Sequence, residues 1–262
     1  MNDWSRMRKR LVLVILIVAI VVLIGVPLYF LFYKAPTCSD GLMNGDETGV
    51  DCGGSCQRLC TAESLPIVIN GDPRVLTVAP NVFEVVALLE NPNINAEIYR
   101  AQYVLKVYDA SSTIPVKTIE GSTFVPRGAS FALFEGPFSL EAGIQPVRSV
   151  LEWHKDSLLW KKTGTVEPDI EVTSISLTKE EISPRLDAIV ENQSLESVSH
   201  IDLVALVSDE EGNLFSASKT YIESLSSGES MPVVFTWPRG FSKKAVDISI
   251  ITRIFPDSSF IR

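Results

Sequence analysis

The sequence predicts an all-β exported part, built as two β-sandwiches in tandem behind one N-terminal transmembrane helix and a small disulfide-rich module. Three observations carry this: an unbroken apolar run over residues 11–33, four cysteines confined to residues 38–60, and strand-like runs from Arg74 onward whose order returns after about a hundred residues.

The first element is the run LVLVILIVAIVVLIGVPLYFLFY, without a charged or amide side chain. At about 1.5 Å per residue a helix of this length reaches roughly 34 Å, enough for a hydrocarbon core of ~30 Å with some tilt. Core helices of soluble proteins keep a polar face, and this one has none. Residues 1–10 form a basic tail with Arg6, Arg8, Lys9 and Arg10 against the single acid Asp3, and no basic residue lies between Lys34 and Arg58. Basic residues flank the cytoplasmic end of a span, so the expected topology has the N-terminus inside and residues 34–262 outside the cell membrane. Tyr29, Phe30, Phe32 and Tyr33 would stand at the outer interface and Trp4 at the inner one. The rival is a cleavable signal peptide, whose apolar region is shorter and ends in a small-x-small site. Here the run ends YFLFYKAPTC, which places Tyr33 where a small residue belongs, and Thr37 before Cys38 does not suit a lipoprotein signal. The uncleaved anchor is the expectation.

Residues 1–34 hold five of the 23 basic and one of the 32 acidic residues, which leaves the exported part at net −13. That charge opposes nucleic acid and anionic lipid, which attract clustered Lys and Arg. It suits solubility, or the binding of cations.

The second element, residues 34–64, contains Cys38, Cys52, Cys56 and Cys60 in a Gly- and Asp-rich stretch with four large apolar residues, Leu42, Met43, Val50 and Leu59. So little apolar surface cannot hold a shape, and outside the cytoplasm an even number of cysteines reads as two disulfides. Three connectivities remain open. Zinc on four thiolates competes, but the usual paired C-x2-C knuckles are missing. Calcium competes through Asp40, Asn44, Asp46, Thr48 and Asp51 at places 1, 5, 7, 9 and 12 of a loop with Gly45 at place 6, the spacing of an EF-hand. Leu42 at place 3 cannot ligate, Asp51 stands where a bidentate Glu belongs, and no helices flank the loop. Without a cation the same acids and glycines make tight turns. The segment CSDGLMNGDETGVDCGGSC, Cys38–Cys56, resembles a short Cys-rich motif of exported bacterial surface proteins, C-x-D-G-x-x-N-G-x-E-T-x-V-D-C-G-G-x-C. The resemblance implies an extracytoplasmic location and carries no activity with it.

The third and fourth elements are the repeated β-regions, expected at residues 65–163 and 168–262. Period-2 runs such as RVLTVA, VFEVVALLE and YVLKVYD alternate with Asn-Pro, Pro-Arg-Gly and Ala-Gly breaks. ALLENPN at 87–93 is answered by AIVENQS at 188–194, VLKVYDASS at 104–112 by VALVSDEEG at 204–212, FVPRGAS at 124–130 by SLSSGES at 224–230, and Phe134 with Pro137 by Phe235 with Pro238. The offsets stay at 100 to 101 residues, which points to two copies of one domain. About seven short strands in a hundred residues is the size of an immunoglobulin-like or fibronectin-III-like sandwich, and two in series would make a short rod. The first copy, with VVALLENPN and YVLKVYD, resembles the water-stress and hypersensitive-response type of late-embryogenesis-abundant domain. The second, with VENQS and LSSGES, is similar to bacterial domains marked by a Phe-x-Leu-Tyr-Asp strand, although LVALVSDEEG lacks the Tyr. Both resemblances imply a fibronectin-like fold without catalytic residues.

Chemistry is sparse. His154 and His200 are the only histidines, one per copy, and read as surface or satisfied strand residues. No zincin, nucleophile-elbow or phosphate-loop motif occurs. Ser176 with Lys179 and Ser216 with Lys219 fit S-x-x-K but lie in strand-like sequence, where the spacing does not aim Lys at Ser. Trp153, Trp160 and Trp237 read as core rather than as exposed anchors. Asn192-Gln-Ser194 is a glycosylation sequon on an expected turn. The expected function is therefore binding without catalysis: an envelope scaffold held in the lipid bilayer by residues 11–33, without cofactor, with an envelope protein or glycan as partner and no nucleic acid. The alternative is a calcium- or redox-responsive surface sensor built on the Cys-rich loop.

Overall fold

The computed structural model describes residues 2–32, 35–110, 112–164 and 167–256, which fall into two compact bodies, Met1–Cys56 and Gln57–Arg262. Tyr33 and Lys34, part of the stretch joining the two β-regions, and the last six residues lie outside the described residues.

The first body begins with helix α1, Asn2–Phe32, which takes in most of the basic tail as well as the apolar run. Its 31 residues span about 46 Å. The segment Arg6–Leu31 is long and apolar enough to cross a membrane, a property that a signal sequence near the N-terminus shares. Pro27 lies within the last two turns, where few backbone bonds remain to be lost. At the other end the Arg8 guanidinium lies 4.0 Å over the Trp4 ring. Residues 35–56 follow as a chain of turns with a single β-bridge, Gly49 to Cys52.

The second body is all antiparallel β. Strands β1 (Val68–Ile69), β2 (Arg74–Ala79), β3 (Val82–Glu90) and β6 (Ser130–Ser139) form sheet I around β3. Strands β4 (Ala96–Asp109), β5 (Lys117–Val125), β7 (Pro146–Trp153) and β8 (Trp160–Lys162) form sheet II around β4. Sheet III runs β9 (Ile170–Thr178), β10 (Arg185–Asn192), β13 (Ser230–Thr236), and sheet IV runs β12 (Leu214–Leu225), β11 (Val198–Ser208), β14 (Asp247–Ile254). Residues 57–59 run along β8: Leu59 N–H donates to the Trp160 carbonyl and Lys162 N–H to that of Gln57.

Sheets I and II share one core, in which Val85, Leu89 and Phe131 meet Ile98, Leu105 and Val107. Sheets III and IV share another, in which Leu186, Val190 and Phe235 meet Ile201, Leu203 and Ala205. Period-2 alternation accounts for these inner faces, and each fully buried aliphatic or Phe side chain adds ~1.5–3 kcal/mol.

Alternation does not account for β3 and β11, which are buried on both faces. A third cluster explains them. Leu76, Val86 and Ala132 on the outer face of sheet I pack against Val204, Leu206 and Ala217 on the outer face of sheet IV. The two halves therefore meet face to face and not end to end, which replaces the rod expected from tandem domains.

Strand register also corrects one of the sequence matches. Glu90 pairs with Ser130 and Glu191 with Ser230, so Phe134, opposite Val86, is level with Val234, opposite Asp187. The likeness of Phe134 to Phe235 is one residue out of step: Phe235 is core, whereas Phe134 packs in the joint between the halves.

Candidate functional site

Two places gather chemistry. The first is the turn segment of the N-terminal body. Its carboxylates fasten the loop to itself. Asp40 accepts from Leu42 N–H at 2.9 Å and from Asn44 Nδ2 at 3.0 Å, Asp51 accepts from Gly41 N–H at 3.0 Å, and Asp46 accepts from Ser55 N–H at 2.9 Å. Close packing explains the glycines beside them: a Cβ on Gly54 would stand 2.0 Å from the Asp46 carbonyl oxygen. All four cysteines are disulfide-bonded, with Cys38 joined to Cys56 at a Cα separation of 5.7 Å. Among the described residues, Cys38, Glu47 and Cys56 bring three potential metal ligands within 4.8 Å. Two of the three are disulfide sulfurs, which lack the thiolate charge a metal needs. Asn44 differs from its neighbours, because its side-chain oxygen is buried without a hydrogen-bond partner.

The second place is a cleft of about 440 Å³ in the second body, at the joint between sheets I and IV. Among the charged groups that line it, three are nearly buried. Glu84 comes from β3, at a bulge where Gly136 and Pro137 of β6 oppose it; a Cβ on Gly136, at φ 133°, would lie 2.9 Å from the Glu84 Cα. Asp202 of β11 and Arg253 of β14 are cross-strand partners on the outer face of sheet IV. All three are more than nine-tenths buried.

Their partners cross the joint. Arg253 donates from NH1 to the Thr123 hydroxyl of β5 at 3.0 Å, and its guanidinium lies over the rings of Phe131 and Phe255. Asp202 Oδ2 accepts from Lys219 Nζ at 3.1 Å, with Arg253 NH2 3.9 Å away. Asp202 Oδ1 and Arg253 Nε have no hydrogen-bond partner. Burial pushes the Glu84 carboxyl up to about 7, against the pull of the Ala217 N–H that it accepts. Burial also lowers Arg253 to about 10, opposed by the Asp202 charge. Nearby, Tyr103 donates its hydroxyl to Glu135, and Trp237 Nε1 donates to the Ala217 carbonyl at 2.7 Å.

The residues singled out from sequence fall elsewhere. Asn192 is buried, and its amide, the nitrogen to which a glycan would attach, donates to the carbonyls of Glu196, Leu225 and Ser226. Asn91 holds the matching place, donating to Ala96 and Pro126, and each Asn accepts the N–H two residues on. His154 is exposed where β7 gives way to a 3-10 turn, and His200 lies in β11. Of the two S-x-x-K pairs, only Lys219 reaches the cleft, as the partner of Asp202. Trp160 and Trp237 are buried core. Sequence reading passed over Glu84, Asp202 and Arg253, although single charges within VFEVVALL, HIDLVALV and IITRIF were a signal. A charge inside a both-faces-apolar strand must be paired or used.

No family model and no curated protein matches the chain. Among solved structures it is similar to red sea bream transglutaminase at 11% identity, covering 71% of this chain and 31% of that one, with TM-score 0.21. It is similar also to Amycolatopsis orientalis exo-chitosanase CsxA at 14% identity, covering 66% and 25%, TM-score 0.20, and to Bacteroides uniformis β-glucuronidase 2 at 14%, covering 68% and 26%, TM-score 0.19. The chain spans less than a third of the length of each, and likeness at this level carries no argument about activity.

Proposed function

We propose that this protein is a membrane-anchored binding or scaffold protein of the cell envelope, held by α1 with its N-terminus inside and displaying residues 57–262 outside. The β part consists of two copies of a fibronectin-like or immunoglobulin-like sandwich, residues 65–163 and 168–262, behind a disulfide-rich module at residues 34–64. The shared strand orders of sheets I and III and of sheets II and IV support the two copies, as do the matching Asn91 and Asn192 networks. The protein acts by contact and not by turnover: the buried charges at the joint are engaged in holding sheet to sheet.

The observation that carries this reading is a membrane-length apolar helix, the only one among the described residues, on a chain whose four cysteines are all oxidised. Oxidised cysteines support an oxidising compartment for the segment beside the helix, and the basic tail supports a cytoplasmic position for the other end. Intact mass after alkylation of native membranes tests it. No alkylated cysteine without reduction and four after it is expected, together with co-purification of an envelope component after cross-linking on intact cells. Four thiols free without reduction would overturn the topology.

A second reading, calcium sensing by Asp40, Asn44, Asp46 and Asp51, is favoured by one observation, the orphaned Asn44 oxygen beside Asp40. Calorimetric titration of the oxidised protein with millimolar Ca²⁺ tests it. Absence of heat would remove it.

A further inference from the structure

The joint between the halves is more than adhesive. An apolar joint closed for stability alone would be dry, yet this one keeps a cleft of about 440 Å³, within the ~300–1,000 Å³ range of small-molecule sites. Two buried polar atoms have no partner there: Asp202 Oδ1, an acceptor, and Arg253 Nε, a donor. Each such group has given up its hydration without return, a loss that ligand hydroxyls or ordered water would offset.

The chemistry of the lining narrows what fits. Acidic and basic groups face each other across it, Glu135, Asp202 and the partly protonated Glu84 against Arg100, Lys219 and Arg253, so neither a free anion nor a free cation is strongly favoured. A compensated Asp–Arg pair presents one acceptor and one donor side by side, the pattern that meets two neighbouring hydroxyl groups. The rings of Tyr103, Trp237 and Phe134 also line the cleft. Aromatic rings take C–H faces and the paired charges take hydroxyls.

We propose that the cleft between sheets I and IV is a binding site for a neutral sugar unit, held by Asp202 and Arg253 at the point where the two halves meet. This deepens the binding reading given above and rests on it. A ligand there touches both halves at once, so its binding tightens the joint between them. The same hydroxyl chemistry comes from a free sugar or from the end of an envelope glycan.

The test uses the full chain in lipid nanodiscs, because sugar-headed detergents would compete. Saturation-transfer difference NMR is recorded with glucose, galactose, mannose and N-acetylglucosamine, with chitotriose as the chain-form arm and glycine as a zwitterionic control. Saturable binding of at least one sugar is expected, weakened at least tenfold by Asp202→Asn. Thr236→Phe, at an exposed position of the cleft lining, narrows the cleft while leaving the charged groups in place and is expected to abolish binding with an unchanged melting temperature. Binding of the trimer but of no monosaccharide would assign the site to a glycan chain and sustain the proposal. No sugar signal at 10-fold molar excess up to the millimolar range would overturn it and leave the cleft to solvent only. So would binding of glycine in place of sugars, or sugar binding that Thr236→Phe leaves intact. Failure here does not touch the envelope-binding reading, whose cross-linking test needs no soluble sugar.

Discussion

The charged residues at the joint are costly to place and costly to remove. Asp202 is 3% exposed and Arg253 8%, so each has lost nearly all of its hydration; Asp202 compensates Arg253 and is itself compensated by Arg253 and Lys219. Removal of Asp202 strands Arg253, and removal of Arg253 leaves the buried Asp202 charge with Lys219 alone. Arg253→Met is expected to cost about 3–5 kcal/mol, whereas Arg253→Met combined with Asp202→Leu should recover most of that loss, measured by urea unfolding. Glu84 behaves differently, because its pKa is raised and not lowered. The folded state holds that proton up to about pH 7, the unfolded chain only to about 4.5. Between those values the folded state binds more protons, so stability falls as pH rises. The contribution is fully present below pH 4.5 and lost on passing through 7, by at most about 3 kcal/mol. Glu84→Gln is expected to remove this dependence, seen as a flatter plot of unfolding free energy between pH 5 and 7.5; an unchanged slope would show that the carboxyl is solvated.

At the scale of elements, the same residue type closes both halves. Asn91 ends β3 and Asn192 ends β10, and each ties its own strand end to a turn about 35 residues further along the chain. Replacing Asn192 by Ala leaves the Glu196, Leu225 and Ser226 carbonyls without that donor, at an expected cost of at least about 2 kcal/mol, and Asn91→Ala should cost the same. Thermal unfolding of the two variants checks both. If either shifts the melting point by less than a degree, water replaces the amide there. The sequence made the strands, their alternation and the 101-residue repeat legible, because local period-2 patterning and turn chemistry are written in neighbouring residues. It made the Asn positions visible but not their part: N-x-S reads as a sequon until the burial of the amide is known. The cysteine segment was legible as oxidised, since four half-cystines amid few apolar residues leave no other core, while the pairing of Cys38 with Cys56 depends on how the turns fold. What no local pattern carries is which outer sheet face meets which, and the cleft lies in that joint.

For the β body as a whole, the joint is of the head-to-tail kind: the outer face of sheet I meets the outer face of sheet IV, so the corresponding faces of sheets III and II are left over. A joint of this type can propagate from molecule to molecule unless the leftover faces are made unfit for it. Strand register shows that they are. Val86, packed in the joint, corresponds to Asp187 on sheet III, which is paired with Arg185 at 2.6 Å and exposed. Leu206 and Ile251 of sheet IV correspond to Lys106 and Glu152 of sheet II, joined at 2.7 Å in solvent. Docking those faces would bury two ion pairs that now cost nothing, a loss of several kcal/mol for each ion that is desolvated. The β part is therefore expected to be monomeric, and light scattering of the solubilised chain should return one copy per particle. Converting the guard residues, with Asp187→Val and Arg185→Leu on one face and Lys106→Leu and Glu152→Ile on the other, is expected to yield concentration-dependent chains of copies. If the quadruple variant stays monomeric, the charged faces are not what stops propagation, and the shape of the cleft-bearing joint itself must limit stacking to a single pair.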